Sequence, residues 1–290
     1  MRALLLVAVL LQGCAFTQLA EDLSEFYSDP EARAGQLVVA GGAQVRRLDD
    51  FADSYGRLGF WRPLSFVKEK RGGVYLLEPY DPAKLPVLFI HGAGGTPRDW
   101  RYFIERLDRT KYQAWVYYYP SGLPIDLSAS WLNDIVTRLH ARYGFQQLAV
   151  AGHSMGGLVA HRFIALNSQN YVKVLATFAT PWDGVPLARV AASLGAYAFP
   201  SWRDLVPDSS FLRIVQAESL PPAVKHHLFF GYRERGDSFD SDGVISVASQ
   251  REGRIEAAAA QVHGFRTDHS GILDDAAVFG RFAGVLAGFN

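Results

Sequence analysis

Residues 152–157 read Gly-His-Ser-Met-Gly-Gly, a G-x-S-x-G pattern centred on Ser154. A serine between two glycines can occupy a sharp strand-to-helix turn, because side chains at Gly152 and Gly156 would collide with neighbouring backbone. Such a turn lifts the hydroxyl clear of the sheet, and the helix beginning near Met155 adds free N–H groups and a positive dipole end. The chemistry this allows is nucleophilic attack on a carbonyl carbon, with an acyl group passing to the serine. That reaction needs donors for the oxyanion, and Ile90-His91-Gly92-Ala93-Gly94-Gly95 offers a second glycine-rich loop. The backbone N–H groups of Ala93 and Met155 are the natural pair. His91 reads as structural, packed or hydrogen-bonded beneath the loop. The reaction requires no cofactor and no metal.

The flanking segments suit these roles. Leu85–Ile90 is a short, almost continuous apolar run, as expected of a strand buried on both faces, and Pro97–Leu107 follows with helical spacing. Leu148–Ala151 reads as the strand leading into Ser154, and Met155–Leu166 as the helix leading out. Further strands are predicted over Gly73–Tyr80, Tyr112–Tyr119, Val172–Phe178, His226–Tyr232 and Ala258–Phe265, with helices over Leu127–Tyr143 and Asp274–Leu286. Alternating strands and helices predict an α/β architecture, a mostly parallel sheet with helices on both faces. Residues 181–224 break the rhythm with proline, tryptophan and small residues. Asp22–Tyr27 and Asp49–Leu58 carry weak helical signals, separated by Gly41-Gly42.

With the serine turn and the His-Gly loop in place, the chain resembles the α/β-hydrolase superfamily, and within it the lipase-like serine esterases. Ala179-Thr180-Pro181-Trp182-Asp183-Gly184 and Leu205-Val206-Pro207-Asp208-Ser209-Ser210-Phe211-Leu212 belong to the same likeness, which spans roughly residues 70–285. It is similar to bacterial lipase-like lipoproteins, and more distantly to the hydrolase domain of inositol deacylases. The resemblance implies the order Ser, acid, His along the chain. Asp237, Asp240 and Asp242 are then candidate acids. Asp242 is preferred, since Ser241-Asp242-Gly243-Val244-Ile245-Ser246 resembles the turn that carries the acid in lipases, with Asp240 as the alternative. His269 lies between the last strand and the last helix, where this superfamily places its base; His263 falls inside a strand and reads as packed. His140 and His161 fall on helices as surface or packing residues, and His226-His227 lacks the acidic companions of a metal site. The resemblance also makes residues 181–224 a cap over the site.

Composition bounds the alternatives. The chain has 290 residues, 49% hydrophobic and 20% charged, with a formal net charge of zero. That suits a globular protein with a large core. Arg46-Arg47 and Lys68-Glu69-Lys70-Arg71 are minor basic clusters and form no stripe of the kind nucleic-acid binders carry. Cys14 is the one cysteine. Arg2 and the apolar run Ala3–Leu11, too short to span a bilayer, read as the start of a secretory signal. Leu11-Gln12-Gly13-Cys14 resembles the lipobox of bacterial lipoproteins, in which the peptide is cut before an acylated cysteine. The expected organisation is therefore a signal peptide over 1–13, a linker and accessory segment over 14–61, and a hydrolase domain over 62–290.

Several acyl chains on Cys14 would hold the protein on a membrane. Ala15 after the cysteine favours the outer over the inner membrane of a bacterial envelope. The cap is rich in apolar residues, Trp182, Leu187, Leu194, Phe199, Trp202, Leu205, Val206, Phe211 and Leu212 among them. They fit either a hydrophobic acyl substrate or plain packing of the cap on the core. Two other functions share much of this pattern: an envelope scaffold or foldase that keeps the fold without the chemistry, and a thioesterase, amidase or peptidase with the same triad.

Overall fold

The computed structural model describes residues 44–69, 71–193, 200–233 and 240–289. Cys14, the Asp22–Tyr27 segment, Leu194, Phe199 and Asp237 lie outside the described residues. Eight strands form one sheet: β1 (Gln44–Val45), β2 (Gly73–Leu76), β3 (Leu85–Ile90), β4 (Tyr112–Tyr118), β5 (Leu148–His153), β6 (Val172–Phe178), β7 (Lys225–Tyr232) and β8 (Gln261–Arg266). Their spatial order is β1-β2-β4-β3-β5-β6-β7-β8. The β2–β4 pair is antiparallel and every other pair is parallel. The chain leaves β3 toward β4 on one side and returns to β5 on the other. The C-terminal ends of β3 and β5, where that direction reverses, therefore border the crevice in which open α/β sheets bind ligands.

Period-two alternation splits the core in two. Leu88, Ile90, Trp115, Tyr117, Leu148, Val150 and Leu175 point to one face. They pack under α4 (Ile125–Tyr143) and α5 (Met155–Leu166), which follow α1 (Asp53–Trp61), α2 (Pro63–Lys68) and α3 (Arg101–Arg106) in the chain. Val87, Phe89, Val116, Ala149, Ala151, Ala176 and Phe178 point to the other face. There Phe103 of α3, and Val278 and Phe282 of a C-terminal helix (Ala276–Ala287), cover them. Phe51 and Phe66, from the segment that precedes β2, sit in this same buried cluster. The central strands are apolar on both faces for this reason. α5 is buried nearly all round, as its composition requires. α4 ends at Gly144, whose φ of 65° closes the helix in the left-handed conformation that glycine adopts without penalty.

Between β6 and β7 lie α6 (Pro186–Ser193), α7 (Pro200–Asp204) and α8 (Ser210–Ala217). This insertion is docked by polar contacts. The Asp204 carboxylate accepts from the N–H of Ile125 at 2.7 Å, at the start of α4. Arg162 of α5 bridges Asp126 of α4 and Glu218, just past α8. Trp182, Phe211 and Leu212 are buried in the first core cluster.

Several boundaries differ from the sequence reading. The stretch expected as a strand from Ala258 begins instead with α10 (Gly253–Ala258), preceded by α9 (Val247–Gln250). The Glu252 carboxylate accepts from the N–H groups of Arg254 and Ile255, each at 3.0 Å, and caps a helix that takes in Ala257 and Ala258; the chain turns extended at Ala259 and the strand starts only at Gln261. The helix from Pro97 opens as a 3₁₀ turn, Pro97–Trp100, because Thr96 and Asp99 satisfy each other's backbone N–H groups. β2 stops at Leu76 rather than Tyr80, with Pro79 unable to donate to a ladder. The Ala276–Ala287 helix is α11.

Candidate active site

Ser154 sits at the junction of β5 and α5 with φ 53° and ψ −128°. A non-glycine residue there costs roughly 1–3 kcal/mol. Its neighbours hold the conformation. The Ser154 N–H donates to the Phe178 carbonyl at 2.8 Å and the Gly157 N–H donates to the Ser154 carbonyl at 2.9 Å. A Cβ on Gly152 would stand 2.5 Å from the Gly156 carbonyl oxygen, and one on Gly156 would stand 2.4 Å from that of His91. Only glycine fits at either place, the steric requirement read from the motif.

His269 follows β8 and Asp242 follows β7. The Ser154 hydroxyl donates to His269 Nε2 at 3.0 Å. On the other side of the ring, Nδ1–H donates to Asp242 Oδ2 at 2.7 Å. The Asp242 side chain is fully buried, and its other oxygen, Oδ1, accepts from the N–H groups of Val244 (2.8 Å) and Ile245 (2.7 Å). Both oxygens of this buried carboxylate are thus engaged, one of them aimed at the imidazole. The Asp242 carbonyl also accepts from the His269 N–H at 3.1 Å, so the loops after β7 and β8 are joined through backbone as well.

The loop after β3 passes beside the serine: a Cβ on Gly92 would lie 3.0 Å from that of Ser154. Ala93 is exposed, and among the described residues its N–H donates to no protein group. The N–H of Met155 is at the first position of α5, where no preceding turn supplies an acceptor. His91 is the structural residue expected. Its Nδ1–H donates to the Gly92 carbonyl at 2.8 Å, and Nε2 accepts from the Tyr119 N–H at 3.4 Å. The ring stacks on Tyr119, whose hydroxyl donates back to the His91 carbonyl. Burial depresses the His91 pKa to about 4 and keeps the ring neutral.

Four further residues complete the arrangement; Ser121, Gln250 and Gly56 lie outside both glycine-rich loops, and His153 sits inside the serine turn. Ser121 Oγ accepts from the Gly94 N–H at 2.9 Å and pins the loop after β3. Gln250 is buried; its amide donates to the carbonyls of Gly231 and Ile245 and accepts from the Gly231 N–H, tying the loop that carries Asp242 to β7. Gly56 of α1 lies so close to the loop after β3 that a Cβ there would stand 2.6 Å from the carbonyl oxygens of both Gly94 and Gly95. His153, directly before the serine, bonds to the His269 carbonyl at 2.8 Å. Each partner is remote in sequence, so only the helical signal around Asp49–Leu58 hinted that the amino-terminal segment would come near. The other histidines lie elsewhere. His263 is in β8 stacked with His227, His226 bonds to Thr177, and His140 packs on Phe145 and Tyr171. Asp240 is exposed, and the carboxylate that engages the His269 ring is that of Asp242.

The model of the alpha/beta hydrolase family matches residues 87–281, from β3 to the closing helix, and so takes in both glycine loops, the serine and the two partner residues. The chain belongs to the alpha/beta hydrolase family. Among solved structures, this hydrolase is similar to the mature form of lipase BlEst2 from Bacillus licheniformis. The two are 19% identical over 73% of this chain and 97% of that one, with a TM-score of 0.58. It is also similar to a gene product of Listeria innocua, at 16% identity over 70% of this chain and 94% of the other, with a TM-score of 0.54. Likeness at this level shows the shared fold. No curated protein matches the hydrolase by sequence.

Proposed function

We propose that the protein is a serine hydrolase that cleaves carboxylic esters, with Ser154 as nucleophile, His269 as general base and acid, and Asp242 as the residue that orients and stabilises the imidazolium. The observation that carries this is the continuous relay from hydroxyl to imidazole to buried carboxylate, at 3.0 and 2.7 Å. Ser154 Oγ attacks the carbonyl carbon while His269 Nε2 takes its proton. The negative oxygen is held by the N–H groups of Ala93 and Met155, each such donor worth about 3 kcal/mol of barrier. As the tetrahedral intermediate collapses, His269 returns the proton to the leaving alcohol. Water then attacks the acyl-enzyme by the same route and releases the acid. Ser154→Ala tests this. Hydrolysis of a p-nitrophenyl ester and labelling by a fluorophosphonate should both vanish while the chain still folds; a variant with full turnover would refute the assignment.

For the substrate, the proposal is a lipid or other hydrophobic acyl ester. The cap residues support it less than their composition suggested. Trp182, Leu205, Phe211 and Leu212 are buried in the core, so they serve packing. Leu187, with 63% of its surface exposed, remains available on the same insertion. The reading extends to the envelope: acylation of Cys14 would tether the enzyme to a bacterial membrane, more suitably the outer one, and raise the local concentration of lipid esters. In a bacterial host, Cys14→Ser should move the full chain out of the detergent-extracted membrane fraction. Unchanged membrane retention would refute the anchor.

A further inference from the structure

His153 ends β5 and immediately precedes the nucleophile. Its ring is buried and placed between two loops of the site. Toward the base loop, Nε2 lies 2.8 Å from the His269 carbonyl oxygen. A carbonyl only accepts, so Nε2 carries the proton and donates. The two imidazoles meet with centroids 4.9 Å apart at 46°. Toward the oxyanion loop, Nδ1 would stand 3.4 Å from a Cβ placed on Gly92. One side chain thus touches the base's main chain, the base's ring and the loop that carries a proposed oxyanion donor.

We infer that His153 is a positioning residue for the base, acting through a neutral Nε2–H donated to the His269 carbonyl; this rests on the reading of Ser154 and His269 as nucleophile and base. The geometry gives it work that packing alone would not. His269 follows the edge strand β8. Its N–H is held by the Asp242 carbonyl, and its own carbonyl is held by His153. The main chain of the base is therefore gripped on both sides, once from the acid loop and once from the strand that delivers the serine. Without the second grip, the imidazole can pivot about the first and carry Nε2 away from Oγ. Burial, then the neighbouring imidazole of His269, depresses the His153 pKa to about 3. The ring therefore stays neutral while His269 becomes an imidazolium. A charge on it would oppose proton transfer from the serine.

The test is His153→Phe, which keeps an aromatic ring and removes the donor, beside His153→Gln, whose amide can donate along a similar path. For the phenylalanine variant we expect kcat on a soluble p-nitrophenyl ester to fall ~10–100-fold, the cost typical of a misplaced catalytic group. KM should change little and the rate of fluorophosphonate labelling should fall in parallel. The downfield proton resonance of the His269–Asp242 hydrogen bond should weaken. The glutamine variant should recover most of kcat and the resonance. If His153→Phe does not fold, His153→Leu replaces it, and the same rescue by glutamine is required. Wild-type kcat and resonance in a folded variant lacking the donor would overturn the inference, as would equal losses in the phenylalanine and glutamine variants. Ser154→Ala is run in parallel. Activity surviving in that variant defeats the serine-hydrolase reading itself. Activity lost there but unaffected by His153→Phe defeats only the role of His153.

Discussion

Replacing Gly56 by alanine tests how tightly α1 fixes the loop after β3 that carries the proposed oxyanion donor. In an unconstrained helix interior, Gly→Ala stabilises by about 1 kcal/mol. At Gly56, the added methyl would stand 2.6 Å from the carbonyl oxygens of Gly94 and Gly95 and 2.7 Å from the Thr96 methyl. Ordinary contact begins near 3.4 Å, so α1 or the loop must retreat by about 0.8 Å. Two of the three neighbours are backbone and cannot rotate away. Overpacking of this kind costs typically about 1–3 kcal/mol, which more than cancels the helical gain. The larger consequence is kinetic. Gly94 follows Ala93 directly, so displacing its carbonyl moves the proposed donor. Loss of one such donor costs ~10²–10³ in kcat, and partial displacement should cost about tenfold or more. The matched control is Gly280→Ala in α11, where a Cβ meets nothing within 4 Å. The assays are urea denaturation and steady-state hydrolysis of a p-nitrophenyl ester on both variants. Gly280→Ala should be as stable as the parent or more so, with unchanged kcat. Gly56→Ala should lose stability and kcat together. A fully active Gly56→Ala protein would refute the claim that α1 sets the loop's position.

Two further outcomes follow from buried charge. Burial lowers the pKa of His91 and His161 to about 4 and that of His153 and His226 to about 3, against 6.5 in an open chain. The unfolded chain therefore binds more protons than the folded one below pH 6.5. Their contribution to stability is complete above that pH and is lost as the pH falls toward 4 and then 3. Four such groups give a slope approaching ~5 kcal/mol per pH unit at its steepest; urea midpoints at pH 7.5 and 5.5 should differ sharply, and equal midpoints would contradict neutral burial of these rings. Asp242→Asn keeps the shape of the acid but removes the anion that selects the His269 tautomer, so kcat should fall on the order of 10³–10⁴-fold, measured beside a melting curve to show that the fold persists.

The sequence reading reached the parts of the site that are specified locally. Gly152, Ser154 and Gly156 announce a strand-to-helix turn because steric exclusion acts over a few residues, and a Cβ on either glycine would indeed stand 2.4–2.5 Å from a backbone oxygen. His269 was separable from His263 because a position inside a strand differs from one just past it, and β8 does contain His263. Contacts between residues far apart in the chain left no such trace. Ser121 reaches Gly94 across 27 residues and His153 reaches His269 across 116. No local pattern marks either. Gln250 belongs to no pattern in the sequence, and only the fold brings its amide to Gly231 of β7, 19 residues away. The apolar residues of the insertion between β6 and β7 stayed ambiguous for the opposite reason: hydrophobicity reports that a side chain is buried, not whether protein or ligand buries it.

The strain at Ser154 and the rigidity of the proposed oxyanion site have one origin. A residue at φ 53° and ψ −128° would relax if the turn could open. Opening it requires Gly152 and Gly156 to move against the backbone they already touch, and Gly156 abuts the carbonyls of Ile90 and His91 at the end of β3. β3 is itself paired along its length with β4 and with β5. The turn therefore cannot relax without parting two central strands, and the loop carrying Ala93 cannot shift without meeting Ser154, Ser121 or α1. Donors fixed in this way need no reorganisation when charge develops on a substrate oxygen, which is the condition under which they lower a barrier most. The close backbone contacts that exclude every side chain larger than hydrogen at these glycines thus also hold the proposed nucleophile and its donors in register before any substrate arrives.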